Sequence, residues 1–167
     1  MFKIGVMASG GGSNFKAIID RIGEGDLEAQ CNNAACGAVE HAKMYGIPVF
    51  HISGKTHPVE SEYEAALCKV LDDSPVDLLI LAGYMKKLPD VLIAKMENRI
   101  LNIHPSLLPK YGGKGFWGIH VHEAVVAARE TESGATVHLV GREIDSGRIL
   151  AQVKVPVMPD DTAASLQ

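Results

Sequence analysis

The chain has 167 residues, of which 47% are hydrophobic and 22% are charged, and its formal net charge is −4. This length predicts one globular domain with one continuous core, and the negative charge argues against a nucleic-acid-binding surface. The first apolar run is too short for a signal peptide, and no run approaches the roughly 20 residues that span a bilayer, so we expect a cytoplasmic protein with no membrane partner.

Apolar runs alternate with amphipathic segments along the whole chain. Strands separated by helices predict βαβ units, and therefore an α/β fold with an open, twisted, mostly parallel sheet and helices on both faces. The run 77–82 is apolar nearly throughout, which is typical of a strand buried on both faces of such a sheet. The predicted strands are 2–8, 47–52, 77–82, 100–103, 135–140 and 148–155, and the predicted helices are 15–22, 38–45, 59–71, 88–96 and 120–129.

Two places depart from the pattern of a complete domain. After Leu27 the chain reads Glu-Ala-Gln-Cys-Asn-Asn-Ala-Ala-Cys-Gly, where a second strand is due. It also stops a few residues after Thr162, which together with the two aspartates before it is typical of a helix start. We therefore expect a single domain of residues 1–167 that lacks its C-terminal helix and part of its second strand.

A glycine-rich turn, Ser-Gly-Gly-Gly-Ser-Asn over residues 9–14, lies between the first predicted strand and the first predicted helix. Glycine lets the backbone approach an anion closely, and a helix N-terminus supplies unbonded amides and the positive end of its dipole. The turn matches neither the dinucleotide fingerprint nor the Walker A motif. It predicts a phosphate site without nucleoside triphosphate chemistry; the alternative is a plain tight turn capped by serine or asparagine.

A polar pair, Asn102 and His104, lies at the end of the predicted strand 100–103. Because strand side chains alternate with a period of two, both point to the same face, and Pro105 ends the strand directly after them. The amide can donate a hydrogen bond to a developing oxyanion, and the imidazole can exchange a proton near neutral pH. The pair and the glycine turn both fall at carboxyl ends of strands, where ligands bind in open α/β sheets.

Other polar residues are less specific. Asp145, before Ser-Gly, is typical of a turn, although beside an imidazole it would favour and orient the charged form of that ring. His138 shares a strand face with Thr136, as structural histidines do, and the spacing of His120 and His122 does not suit a helical metal site. The three cysteines lack CxxC spacing, which predicts reduced thiols and no zinc site.

The segment 83–89, Gly-Tyr-Met-Lys-Lys-Leu-Pro, follows the predicted strand 77–82. It can line a flat hydrophobic slot with basic groups at its rim. The alternative is an ordinary loop in which both lysines are solvated.

Four motifs in this order resemble those of the folate-dependent formyltransferases, and the resemblance runs along the whole chain. Among these enzymes, the chain is most similar to those that act on glycinamide ribonucleotide in purine biosynthesis. The motifs are Gly12-Ser13-Asn14, Leu81-Ala82-Gly83-Tyr84-Met85, Asn102-Ile103-His104-Pro105-Ser106-Leu107-Leu108-Pro109 and Asp145-Ser146-Gly147.

The resemblance implies a Rossmann-like formyltransferase fold and an activity. A formyl group would pass from the co-substrate 10-formyltetrahydrofolate to the amine of glycinamide ribonucleotide, without a metal ion. The partners would be small molecules, and the resemblance allows a homodimer.

The resemblance also implies roles for individual residues, by matching position. Asn102, His104 and Asp145 would be catalytic. The substrate phosphate would be bound by Gly12, Ser13 and Asn14. The folate would be bordered by Met85, Lys86, Lys87, Leu88 and Asn102, with His120, Thr136 and His138 supporting the site.

These roles suit the implied chemistry. The substrate amine attacks the formyl carbon, and negative charge collects on the formyl oxygen. Asn102 and protonated His104 would stabilise that charge, an effect often worth about 3–4 kcal/mol per donor. Asp145 would hold His104 in its charged form, and His104 or a water held by Asp145 would relay the proton from the amine to the folate nitrogen.

Three alternatives stay open. Methionyl-tRNA formyltransferase would need a further C-terminal domain and a basic surface, and formyltetrahydrofolate deformylase an N-terminal regulatory domain. A non-catalytic phosphate-binding module would bind ligand at the glycine turn without any dependence on folate. The loop 111–118 is longer than in many formyltransferases, so its contacts cannot be transferred from the family.

Overall fold

The computed structural model describes residues 2–22, 26–31 and 36–167, the segment 26–31 by its backbone alone. The chain forms two compact units, Met1–Ile100 and Leu101–Gln167. The strands are β1 (Lys3–Ala8), β2 (Asp26–Cys31), β3 (Val49–His51), β4 (Leu78–Leu81), β5 (Ile100–His104), β6 (Glu132–Leu139) and β7 (Ile149–Pro156). The helices are α1 (Ser13–Ile22), α2 (Gly37–Met44), α3 (Glu60–Asp73), α4 (Asp90–Lys95), α5 (Ile119–Ala127) and α6 (Ala163–Leu166).

The first unit is built on four parallel strands in the order β3-β2-β1-β4. Parallel strands need crossover connections, and here helices follow β1, β2 and β3 along the chain. The C-terminal half of β1 is buried, as expected for a strand inside a parallel sheet. The carboxyl end of β1 therefore leads from the sheet directly into the glycine turn.

Two helices of this unit pack into one hydrophobic cluster with β1. Phe15 and Ile19 lie four residues apart on α1 and share one helix face, which is buried. They pack with Ala38 and Ala42 of α2 and with apolar side chains of β1. This packing holds the start of α1 directly after the glycine turn.

The second unit contains an antiparallel sheet in the order β5-β6-β7. In the β5–β6 register, Asn102 lies opposite His138 and His104 lies opposite Thr136. An irregularity interrupts the β6–β7 register between Val137 and His138. The register places four polar side chains together, because directly opposed residues share a sheet face.

The predicted fold class and elements are confirmed. All six predicted strands and all five predicted helices are present, with ends that differ by up to three residues. The fold is α/β, with parallel strands in the first unit. The helix start expected at Thr162 is also present, since the Thr162 side chain accepts a hydrogen bond from the Ser165 backbone amide in a capping box.

One strand was missed. β2 occupies part of the stretch in which the sequence pattern indicated no strand. Its polar residues hid it, and its hydrogen bonds to β1 and β3 override that weak local signal. Residues 32–35, the rest of that stretch, lie outside the described residues. That the chain is a single domain lacking part of this strand and a C-terminal helix stays a prediction.

The cysteines differ from expectation at one position. Cys36 is disulfide-bonded, so the prediction of reduced thiols is wrong there, whereas Cys68 is a free thiol. The side chain of Cys31 lies outside the described part of the chain. Spacing along the sequence does not report which side chains the fold brings within bonding distance.

Candidate active site

His104 lies between two acceptors of its own unit. Its Nδ1 is 3.4 Å from Oδ2 of Asp145, and its Nε2 is 2.7 Å from the backbone carbonyl oxygen of Tyr111. Because a carbonyl can only accept, Nε2 carries a proton and donates it. Both ring nitrogens therefore face acceptors, an arrangement that suits a charged imidazolium, and the ring is 4% exposed.

The Asp145 carboxylate, in the segment after β6, lies among four groups, of which His104 is one. The Asp145 φ of 54° lies in the left-handed region, which aspartate tolerates better than most residues. Oδ2 accepts a hydrogen bond from the Gly113 backbone amide at 3.0 Å, and Oδ1 faces Asn102 and His138. Burial raises the pKa of this carboxyl, but the hydrogen bonds and the histidine charges outweigh it, so the net pKa is lowered. Asp145 is therefore ionised at neutral pH.

Asn102 and His138 form a cross-strand hydrogen bond that assigns the histidine tautomer. Nδ1 of His138 is 2.9 Å from the carbonyl oxygen of Leu139, so Nδ1 carries the proton. Nε2 of His138 then accepts from Nδ2 of Asn102 at 3.1 Å. The second donor position of Asn102 makes only a long contact of 3.4 Å with Asp145. The Asn102 amide is thus oriented by His138 and has one weakly engaged N–H.

Thr136 fixes the segment that follows β5. Its hydroxyl is fully buried, donates to the Ser106 carbonyl at 2.6 Å and accepts from the Leu108 backbone amide at 3.1 Å. The side chain of Gln152 also donates to this hydroxyl, at 2.9 Å. Thr136 therefore ties β6 and β7 to the chain directly after His104.

The two histidines of α5 differ in burial. His120 is half exposed, packs edge-on against Trp117 and lies 2.9 Å from a Glu123 carboxylate oxygen. No hydrogen bond or ion pair in the described ranges joins His120 to Asn102, His104 or Asp145. His122 is buried, its Nδ1 has no partner among the described residues, and burial followed by the charge of His104 lowers its pKa.

The glycine turn in the first unit presents a helix N-terminus. Gly12 has a φ of 81°, and a Cβ there would lie 2.7 Å from backbone atoms of Ala38, so only glycine fits. The Gly12 carbonyl accepts from the Lys16 amide, which begins α1. Ser13 and Asn14 are exposed in the first turn of α1, where unbonded backbone amides favour an anion.

The segment 83–88 lies against the glycine turn in the same unit. The Ser9 amide donates to the Gly83 carbonyl at 3.2 Å, and the Met85 amide donates to the Ser9 hydroxyl at 3.0 Å. Met85 is 51% exposed and Leu88 is buried, so this segment offers one apolar side chain to solvent and one to the core.

The two lysines of this segment have different neighbours. Lys86 Nζ lies 5.2 Å above the ring of Tyr63, whose hydroxyl bonds to that of Tyr84. Burial and this bond raise the pKa of Tyr84. Lys87 Nζ lies 3.8 Å from a carboxylate oxygen of Asp90, at the start of α4.

Sequence patterns missed three contributors to the cluster around His104. Tyr111 and Gly113 act through backbone atoms, and no side-chain pattern reports such contacts. The buried hydroxyl of Ser106 donates to the Lys110 carbonyl at 2.6 Å. The one sequence signal for Ser106 was its position in the motif 102–109, two residues after His104.

Within residues 2–22, 26–31 and 36–167, the structure places no group of three or more His, Cys, Asp or Glu side chains that could hold a metal ion. None of the helices found in these ranges is long and apolar enough to cross a membrane.

Comparisons with known proteins identify close relatives. The formyl transferase family model matches residues 2–167. The chain is 42% identical to the chloroplastic phosphoribosylglycinamide formyltransferase of Vigna unguiculata, and the match covers 98% of the chain and 54% of the relative. It is 37% identical to the phosphoribosylglycinamide formyltransferase of Haemophilus influenzae, and that match covers 100% of the chain and 79% of the relative. The crystal structure of glycinamide ribonucleotide transformylase 1 from Symbiobacterium toebii superimposes with a TM-score of 0.90 at 35% identity, covering 99% of this chain and 78% of that one. The chain spans only 54% and 58% of the length of two plant relatives.

Proposed function

Because the chain belongs to the formyl transferase family, we propose that it transfers a formyl group from 10-formyltetrahydrofolate to the amine of glycinamide ribonucleotide. The observation that carries this proposal is a cluster of two contacting pairs: His104 with Asp145, and Asn102 with His138. The names and the identities of the relatives support the same acceptor.

The proposed reaction begins with attack of the ribonucleotide amine on the formyl carbon. Negative charge then develops on the formyl oxygen, and the weakly engaged N–H of Asn102 can turn from Asp145 to that oxygen. His104 contributes mainly its positive charge, since both of its nitrogens already face Asp145 and Tyr111. This differs from a direct hydrogen bond between His104 and the formyl oxygen.

The proton balance requires a base and an acid. The attacking amine loses a proton, and the folate nitrogen gains one as its bond to the formyl carbon breaks. Asp145, ionised and beside His104, is the proposed acceptor through a bound water, and the same water returns the proton to the leaving nitrogen. No net proton is then consumed within the site.

We further propose that Gly12, Ser13 and Asn14 bind the ribonucleotide phosphate. The support is the N-terminus of α1, a ten-residue helix whose first-turn amides are accompanied by two exposed polar side chains. Glycine at position 12 lets the turn lie close against Ala38 and so places the start of α1 directly after β1.

The segment Met85, Lys86, Lys87 and Leu88 is the proposed border of the folate. Its support is the exposed side chain of Met85, which two lysines follow directly in the chain. His120, Thr136 and His138 are proposed to support the site, Thr136 and His138 through the bonds described above.

We also propose that the partners are small molecules rather than nucleic acid, consistent with a net charge of −4, and that the protein acts in the cytoplasm. Light scattering after size-exclusion chromatography tests the homodimer that the family resemblance allows.

A transfer assay tests the function. Purified protein is given 10-formyltetrahydrofolate with glycinamide ribonucleotide or with water alone, and both the formylated ribonucleotide and free formate are measured. We expect formylated product only with the ribonucleotide. Formate at the same rate without the ribonucleotide would identify a deformylase, and the absence of folate binding in calorimetry would favour a non-catalytic phosphate-binding module.

A further inference from the structure

A chain of contacts runs from His104 to a carboxylate near the surface of the same unit. The Tyr111 carbonyl accepts the Nε2–H of His104 at 2.7 Å, and the Tyr111 hydroxyl donates to Glu130 at 2.9 Å. We propose that Tyr111 and Glu130 are positioning residues for His104, and that they hold its imidazole in the orientation that faces Asp145. This inference rests on the proposed function, in which His104 is catalytic.

The backbone of Tyr111 needs such an anchor. Its φ is 53°, in the left-handed region, which a bulky residue occupies only when its surroundings hold it there, at a typical energetic cost. The phenol is held at its hydroxyl by Glu130 and along its ring edge by Phe116, whose centroid is 5.9 Å away. Because Glu130 and Phe116 both hold the Tyr111 side chain, they also restrict the direction of the Tyr111 backbone carbonyl.

Glu130 is itself firmly placed. Lys110 Nζ lies 2.9 Å from one of its carboxylate oxygens and 3.1 Å from the other. The hydrogen bonds from Lys110 and then Tyr111 lower the pKa of Glu130, and its side chain is 23% exposed. Because Lys110 and Tyr111 are neighbours in the chain, the Glu130 carboxylate can accept hydrogen bonds from both side chains and so holds both in place.

The orientation of His104 follows from these contacts. With its Nε2–H committed to the Tyr111 carbonyl, Nδ1 must face Asp145, which the Gly113 amide holds from the same loop. The groups facing the imidazole are then Asp145, the Tyr111 carbonyl and, from α5, His122. A loosened Tyr111 carbonyl leaves the Nε2–H of His104 without a fixed acceptor, so the ring gains freedom to turn away from Asp145.

Two substitutions test this chain of contacts. Tyr111→Phe removes only the hydroxyl, and Glu130→Gln keeps the size but removes the charge. Glu132→Gln is the matched control, because Glu132 pairs with Lys154 at 2.8 Å and lies two residues away from Glu130. Steady-state kinetics give kcat and both KM values, and nitrogen-15 NMR of the His104 ring reports which nitrogen is protonated and the hydrogen bond at Nε2.

We expect kcat to fall about 10- to 100-fold in Tyr111→Phe and in Glu130→Gln, as for a misplaced catalytic group, with both KM values within about twofold. The nitrogen-15 signals of the His104 ring should shift, because its Nε2–H loses a fixed acceptor. The Glu132→Gln control should match the unsubstituted protein in all these readouts.

Unchanged kcat and unchanged nitrogen-15 signals of His104 in both variants would overturn the proposal. So would a rise in kcat, since the Tyr111 carbonyl would then compete with substrate for His104. If the unsubstituted protein transfers no formyl group, the proposed function fails. The nitrogen-15 NMR signals of His104 still decide the positioning role in that case, because they need no substrate.

Discussion

His104 and Asp145 are far apart in the sequence, yet Nδ1 of the imidazole lies 3.4 Å from Oδ2 of the carboxylate. Both side chains are nearly buried, with exposures of 5% and 9%. An ionised carboxylate in such a place must be compensated by charges and hydrogen bonds, and here these come from His104 and from the Gly113 backbone amide. The His104–Asp145 contact therefore serves two purposes: it compensates the buried carboxylate charge, and it orients the histidine of the proposed reaction.

His104→Ala should abolish most of the transferase activity. Loss of the positive charge beside the reacting carbonyl is expected to lower kcat about 100- to 1,000-fold, with smaller effects on substrate binding. The assay is single-turnover formyl transfer, with calorimetry for the two ligands. His41→Ala on α2 is the histidine control, and a nearly full rate in the His104→Ala protein would refute the catalytic role.

Asp145→Asn should change how stability depends on pH. The folded-state pKa of Asp145 lies below its ordinary value of 3.8, so its carboxylate stabilises the fold fully above that pH. This contribution is lost as the pH falls below 3.8 through the folded-state pKa. Asparagine is the matched replacement, since it also tolerates the left-handed backbone at this position.

At pH 7 we expect the Asp145→Asn variant to be less stable by about 1–3 kcal/mol, the usual contribution of hydrogen bonds to a charged group. The difference should shrink as the pH falls below 3.8 through the lowered folded-state pKa. Denaturant titrations at several pH values measure it. A stability difference that stayed constant over this range would show that the carboxylate charge contributes nothing to the fold.

Thr136→Val should destabilise the second unit. The substitution preserves shape but leaves the Ser106 carbonyl and the Leu108 amide without their buried partner. An unsatisfied buried polar group costs about 1–3 kcal/mol, so a loss of about 2–4 kcal/mol is expected from denaturant unfolding. Thr136→Ser keeps the hydroxyl and should lose less than half as much; equal losses would assign the effect to packing instead.

Gly12→Ala should destabilise the first unit and weaken phosphate binding. The new Cβ would lie 2.7 Å from backbone atoms of Ala38, and the backbone φ of 81° disfavours any residue with a Cβ. The steric clash and the backbone strain would both destabilise the folded state. We expect a loss of about 2 kcal/mol or more by chemical denaturation. Gly10→Ala is the control for stability, because nothing lies within 4 Å of its added Cβ. Equal stability of the two variants would contradict the role of Gly12 in the turn.

Much of the fold follows from local patterns. The apolar run 77–82 predicts a buried strand because a parallel strand buries both faces, and β4 is found there. The alternation at Asn102 and His104 predicts one shared face, and Thr136 and His138 lie opposite them on β6. β2 escaped prediction because its stability comes from hydrogen bonds to two neighbouring strands rather than from its own residues.

Sequence patterns sufficed for every strand except β2, for the helices α1 to α5, for the glycine turn and for the same-face pair, since each depends on residues close together in the chain. The tertiary structure alone decided that Asp145 faces His104, that His138 orients Asn102, and that the Tyr111 backbone oxygen accepts the hydrogen bond from Nε2–H of His104. These contacts join segments distant in sequence, and strand register and loop conformation determine them. Side-chain periodicity carries information on neither.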